Sequence, residues 1–111
     1  MLLTFKTNKL RKECSSEREM KRKYGDRMAG KLKQRLMELQ AADCLAIMSH
    51  LPPARCHELT GNYKGHFSVD LEQPMRLIFK PVNEPLPVTP DGSIDKGLVT
   101  EIEVVSIEDT H

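Results

Sequence analysis

No two cysteines in this chain stand at CxxC spacing, and the three present, Cys14, Cys44 and Cys56, make an odd set. A disulfide framework and a zinc module are both disfavoured, which leaves three reduced thiols. Cys56 and His57 are adjacent, but a tetrahedral site needs more ligands at workable spacing, so no metal is expected. No apolar run approaches the length of a bilayer, and the start Met1-Leu2-Leu3 is broken by Thr4 and Lys6 too soon for a signal peptide. A cytoplasmic protein with no membrane partner is the expectation. GxGxxG, GxxxxGKS/T and GxSxG are missing as well, which argues against the common nucleotide-phosphate and serine-nucleophile enzymes.

What is present suits one domain, spanning residues 1–111. The length supports a single hydrophobic core, and a composition 39% apolar and 30% charged is that of a globular protein. Net charge is only +1, yet it is unevenly spread. Residues 1–48 carry 12 Lys or Arg against 6 Asp or Glu, whereas residues 49–111 carry 5 against 10. A basic half can hold phosphates and release their counterions. It can equally be a solvated face of helices.

Period and punctuation divide the chain. Leu2 to Phe5 reads as a first strand, and Asn8 as the cap of a helix running to about Tyr24. Gly25 breaks that helix and Asp26 caps the next, on which Met28, Leu32, Leu36 and Leu39 recur at helical spacing. Helix continues or restarts from Ala41 to Met48 and must end before Pro52-Pro53. The period then becomes two. Residues 55–71 form a hairpin, Met75 to Lys80 a third strand signal, Pro81 to Gly97 a proline-rich loop, and Val99 to Ile107 the last strand. Helices segregated in sequence from most of the strands argue an α+β fold. A helix layer on one face of the sheet would leave the other face, with His66, Ser68, Arg76 and Lys80, available to a ligand.

The titratable residues gather in the strand-rich half: His57, Lys64, His66, Arg76, Asp109 and His111. They fit cleavage of RNA without metal, in which the ribose 2′-hydroxyl attacks the adjacent phosphorus. A base takes the hydroxyl proton, an acid protonates the leaving 5′-oxygen, and a cation offsets charge on the phosphoryl oxygens. Histidine serves as base or acid near neutral pH, and the arginine fork matches phosphate oxygens. Asp109 would orient or strengthen a histidine. Taken singly, each has a plainer reading. A strand histidine is more often structural, His50 suits a helix C-terminus, Arg76 has a solvent-facing alternative, and Asp109-Thr110-His111 can be a frayed tail. Tyr63 either stacks on a base or covers the edge of the core.

Several stretches, taken in order, resemble one family: Lys9-Leu10 with Cys14, Lys23-Tyr24-Gly25, Ala29 to Leu39 and Leu51-Pro52-Pro53. Stronger pieces follow in Arg55-Cys56-His57-Glu58-Leu59-Thr60-Gly61, Gly65-His66-Phe67-Ser68-Val69-Asp70, Arg76-Leu77-Ile78-Phe79 and Ile107-Glu108-Asp109-Thr110-His111. Together these are similar to the HigB branch of the RelE/ParE toxin superfamily, bacterial toxins of type II toxin-antitoxin pairs. The resemblance implies a compact RelE-like domain, with an N-terminal strand and two to three helices packed on a mainly antiparallel sheet of four to five strands. It implies cleavage of mRNA in the ribosomal A site with no cofactor, and a HigA-like helix-turn-helix antitoxin as partner, DNA being reached only through that complex. His57, Arg76, Asp109 and His111 match the family's catalytic positions, with acid and base unassigned between His57 and His111. Tyr63, Lys64, His66 and Lys80 are the candidate RNA-binding residues.

The chain departs from the family where Thr110 stands in place of the usual tyrosine, so any stacking or proton-transfer role of that ring is missing. Thr60 stands where a related group has lysine, and the segment from Pro81 to Gly97 is longer than in the shortest members. Two other functions remain open at this point. One is a ParE-like protein that inhibits DNA gyrase by contact alone. The other is a weakened toxin-like domain that binds an antitoxin and contributes to promoter repression.

Overall fold

In the computed structural model, which describes residues 1–109, capping decides how the basic half folds. The single helix expected from Asn8 to Tyr24 is two, α1 at Asn8–Glu13 and α2 at Glu17–Tyr24. Thr7 caps the first, its hydroxyl accepting from the Leu10 N–H at 3.1 Å, rather than Asn8. Ser16 then adopts an extended conformation and accepts from the Glu19 N–H at 3.2 Å. A serine at that position supplies the next helix with an acceptor for an otherwise orphan N–H, so a new helix starts where a continuous one was expected.

Gly25, at φ 83°, ends α2 and leads into α3, Asp26–Ala41. Asp26 lies in the first turn of α3 and is not its cap. There its charge still favours the positive end of the helix. Met28, Leu32, Leu36 and Leu39 are all buried along α3, as their spacing predicts, and Ala29 and Arg35 are buried with them. The helix stops at Ala41, and the apolar segment beyond it forms a 3-10 turn, Leu45–His50, followed by a second at Pro52–Ala54.

Among the described residues five strands make one sheet: β1 Leu2–Phe5, β2 His57–Glu58, β3 Phe67–Asp70, β4 Met75–Pro81 and β5 Glu101–Asp109. Their order is β1-β5-β4-β3-β2, with β1 parallel to β5 and every other pair antiparallel. The architecture is α+β, and the mainly antiparallel five-stranded sheet agrees with the expectation. The last strand begins two residues later and ends two residues later than its sequence pattern indicates. Val99 instead lies buried in the preceding turn, its carbonyl accepting from the Leu45 N–H at 3.0 Å. The proline-rich loop closes on itself through a bridge between Val88 and Ile94.

One hydrophobic cluster joins α1, α2 and α3 to a single face of the sheet through Leu32, Leu39, Met48, Phe67, Val69, Leu77, Phe79 and Val104. Phe67 and Phe79 stack at 6.0 Å between centroids. Burying each such side chain contributes about 1.5–3 kcal/mol, which makes this face the main source of stability. A bulge in β5 keeps its pattern consistent with that face. Ile78 pairs with Ser106 and Phe79 with Val104, so Val105 is the extra residue. Val104 and Ile107 thereby both reach the core, while Ser106 and Glu108 share the opposite face with Ile78 and Arg76.

Cys14 sits at the edge of the core, where burial and then the Glu13 carboxylate push its thiol from 9.0 to about 11. A raised thiol stabilises the fold fully below the unfolded value, and that contribution is lost as pH rises from about 9 towards 11. Thermal unfolding of wild type is therefore expected to fall more steeply over that interval than that of Cys14→Ala. Parallel pH profiles of the two proteins would contradict it.

Candidate functional site

The face turned away from the helices carries the polar residues, but it is not fully open. Ile78 lies on it by strand alternation and has no exposed surface, and Ser68 is equally buried. The cover is the β2–β3 connection, which turns through a short 3-10 segment at Gly61–Tyr63. From there the Tyr63 hydroxyl comes within the electrostatic reach of Glu108 and Ser106 on β5, the strand on the far side of β4. The fully available face expected from the sequence is thus corrected: Ser68 is floor beneath a loop rather than a presented group. Its hydroxyl oxygen is buried without a hydrogen-bond partner among the described residues.

At the rim of this covered region the structure brings His57 and Arg76 together. β2 pairs with β3, His57 opposite Ser68, and β3 pairs with β4, Asp70 opposite Arg76. The Arg76 Nη1 lies 3.3 Å from His57 Nε2, and His57 Nδ1 lies 3.0 Å from the Arg55 carbonyl oxygen. A guanidinium can only donate and a carbonyl can only accept. These partners together select one neutral tautomer, with the proton on Nδ1 and the lone pair on Nε2. His57 is exposed, so this lone pair is within reach of a ligand.

Arg76 is held from the other side. Its Nε lies 3.4 Å from Asp70 Oδ1, with 13% of the arginine side chain and 6% of the aspartate exposed. Desolvation of that degree makes the pair more than a surface contact, because removing either member strands a buried charge. Gln73 Nε2 donates to Asp70 Oδ2 at 2.9 Å, and Arg35 Nε donates to the Asp70 carbonyl at 2.7 Å. Asp70 is therefore fixed through both side chain and backbone. Sequence reasoning passed over it, although its period of two with His66 and Ser68 placed it on this face; its partner Arg76 is known only from register.

The other candidates do not gather at this pair. Tyr63 and His66 meet edge to face at 5.5 Å, and His66 Nδ1 lies 3.2 Å from the Lys64 carbonyl. Lys64 is exposed on the covering loop. Lys80 pairs with Glu103 at 3.9 Å and stands four residues along β4 from Arg76, about 13 Å away by strand rise. Asp109 closes β5 opposite Met75, next to the Arg76–Glu108 pair, on the face that alternation gives to Ile107. His111 and Thr110 lie outside the described residues.

The Glu108 carboxylate, by accepting the Tyr63 hydroxyl hydrogen, together with partial burial, raises the phenol above its ordinary 10.0, and Ser106 opposes the shift. Tyr24 is raised too, by burial and by Glu13. An alkaline absorbance titration is thus expected to reach its midpoint above pH 10. Tyr63→Phe should cost about 0.5–1 kcal/mol, since the bond is accessible to solvent, and should speed hydrogen exchange in residues 60–66. The bond's stabilisation is present below pH 10 and lost as pH rises through the folded value. Unchanged exchange in the variant would contradict the latch.

A cavity of about 700 Å³ lies between α3 and the β3–β4 turn, lined by Arg27, Lys31, Gln34, Arg35, Asp70 and Gln73 among others. Neither His57 nor Arg76 lines it. Among the described residues no group of three or more His, Cys, Asp or Glu is placed to hold a metal ion, and no helix is long and apolar enough to cross a membrane. No protein-family model and no curated protein matches this chain.

Proposed function

We propose that this chain is the toxin of a type II toxin-antitoxin pair, an endonuclease that cuts mRNA on the ribosome without a metal ion. The observation that carries the reading is the His57 Nε2 to Arg76 Nη1 contact of 3.3 Å on an exposed rim of the sheet. It unites a lone-pair nitrogen and a permanent cation, two of the three groups that transesterification of RNA requires. The contact is at the long end of the hydrogen-bond range, so a substrate can replace it at little cost. In the proposed reaction the 2′-hydroxyl gives its proton to His57 Nε2 as its oxygen bonds to phosphorus. Arg76, already in place, donates to the phosphoryl oxygens as their charge grows. The bond to the 5′-oxygen then breaks and that oxygen takes a proton from the acid, a role the resemblance gives to His111, with Asp109 beside it. The products are a 2′,3′-cyclic phosphate and a 5′-hydroxyl.

A HigA-like antitoxin, the ribosome and its mRNA are the proposed partners, and promoter DNA is reached through the antitoxin. The test is induction of the chain without antitoxin, with RNA ends mapped across the transcriptome for wild type, His57→Ala, Arg76→Ala and His111→Ala. New message ends and a rapid stop in translation are expected for wild type alone. DNA damage with messages intact would instead identify a gyrase inhibitor, and growth without arrest a weakened domain that only binds its partner.

A further inference from the structure

His57, Arg76, Asp70 and Arg55 close a ring of contacts. The Arg55 carbonyl takes His57 Nδ1 at 3.0 Å, and Arg76 Nη1 meets His57 Nε2 at 3.3 Å. Arg76 Nε then faces Asp70 Oδ1 at 3.4 Å, and Arg55 Nε faces Asp70 Oδ2 at 3.6 Å. One nearly buried carboxylate therefore holds two guanidinium groups by the same edge, and the cluster keeps a net positive charge. Arg55 differs from Arg76 in access, with 67% of its side chain exposed. Asp70 already has Arg76 as a buried counter-charge, so the solvent-exposed Arg55 is the second cation on one carboxylate. Its backbone is also left-handed, φ 48° and ψ 50°, which a non-glycine residue adopts at a cost. Its contact with the carboxylate is made through Nε, and with 67% of the side chain exposed the two Nη groups are the donors left for an incoming phosphate, a pair that can grip two oxygens in parallel.

We propose that Arg55 is a second phosphate-binding residue, which grips the phosphodiester next to the one at Arg76, and that Asp70 is the positioning residue that aims both arginines. Glu108, the acidic neighbour of Arg76 across β4 and β5, is turned to Ser106, which donates to it at 2.7 Å, and to the Tyr63 hydroxyl. The inference rests on the reading of this rim as an RNA site, and it adds a reason for single-stranded RNA: two adjacent backbone phosphates are fixed at once, one of them beside His57 at Arg76.

The test is equilibrium binding of the full chain, without antitoxin, to a single-stranded 2′-O-methyl RNA that lacks the attacking hydroxyl, across a range of NaCl. Arg55→Gln is expected to bind about tenfold more weakly, the scale of one charge-assisted contact. Its log–log salt slope should be shallower by about 0.7, one phosphate on a single strand. Arg55→Lys should keep the slope and recover part of the affinity, since it retains the charge and loses the fork. Asp70→Asn adds a positive charge, which by charge alone would tighten binding, and weaker binding is expected because both arginines lose their aim. Equal affinity and slope for wild type and Arg55→Gln, tighter binding by Asp70→Asn, or no binding by wild type would each overturn the proposal. Binding that depends on Arg55 in a protein that cuts nothing would leave the clamp standing and remove the nuclease reading. Cleavage by wild type with unchanged binding by Arg55→Gln would do the reverse.

Discussion

Arg76→Ala is expected to lose about 10²- to 10³-fold in the rate of message cleavage, the scale of removing one preorganised donor to a developing oxyanion. Asp70 fixes Nε, and Nη1 rests against His57, so the cation is in place before substrate arrives. Arg76→Lys keeps a charge but has one ammonium where two directions must be served, and it is expected to recover little. His57→Ala should fall in a similar range, about 10²- to 10⁴-fold, with substrate affinity largely retained. The check is single-turnover cleavage of a ribosome-bound message by each purified variant. An Arg76→Ala variant within threefold of wild type would remove the arginine from the proposed chemistry.

Arg35→Ala is expected to cost about 3–5 kcal/mol of folding stability, a large share of the 5–15 kcal/mol of an ordinary domain. Only 2% of Arg35 is exposed, and each of its three guanidinium nitrogens makes a hydrogen bond. Nε donates to the Asp70 carbonyl at 2.7 Å, Nη1 to Glu38 Oε1 at 3.0 Å, and Nη2 to the Pro53 carbonyl at 2.9 Å. The truncation leaves two carbonyls and a partly buried carboxylate without this donor, and adds a cavity. The two carbonyls belong to the end of β3 and to the turn before Arg55, so the loss reaches the site as well. Urea unfolding at neutral pH measures it. Arg35→Met restores volume without donors and should regain only the cavity part. A midpoint for Arg35→Ala equal to wild type would show that α3 does not anchor those segments.

The outline of the fold was legible because apolar periodicity follows burial. Met28, Leu32, Leu36 and Leu39 face the core on α3, and Phe67 and Val69 alternate into it on β3. What escaped was decided by polar groups with local competition for them. Ser16 ends one helix and starts another by a single hydroxyl contact, which apolar spacing does not register. Arg35 sits seven residues after Met28 and four before Leu39, on the buried stripe itself, yet its charge hides that position from a hydrophobic pattern. In the site, His57 and Arg76 were legible as residue types suited to phosphate chemistry. Their contact depends on two registers, β2 with β3 and β3 with β4, that no spacing within a strand reveals. The roles of Asp70 and Arg55 are hidden for the same reason. For Tyr63 the sequence leaves stacking and covering open, and the structure brings its hydroxyl within the electrostatic reach of Glu108 and Ser106.

The central claim is the attack of a 2′-hydroxyl under His57 and Arg76, and the chemistry of the cut ends tests it most directly. Purified protein would be added to ribosomes holding a defined message in EDTA-buffered, magnesium-controlled solution, and the fragment termini would be read by mass spectrometry. A 2′,3′-cyclic phosphate with a 5′-hydroxyl is expected, together with no cut where a single 2′-deoxynucleotide replaces the attacking ribose. Intact messages, or fragments that carry a 5′-phosphate and survive the deoxy substitution, would contradict the account.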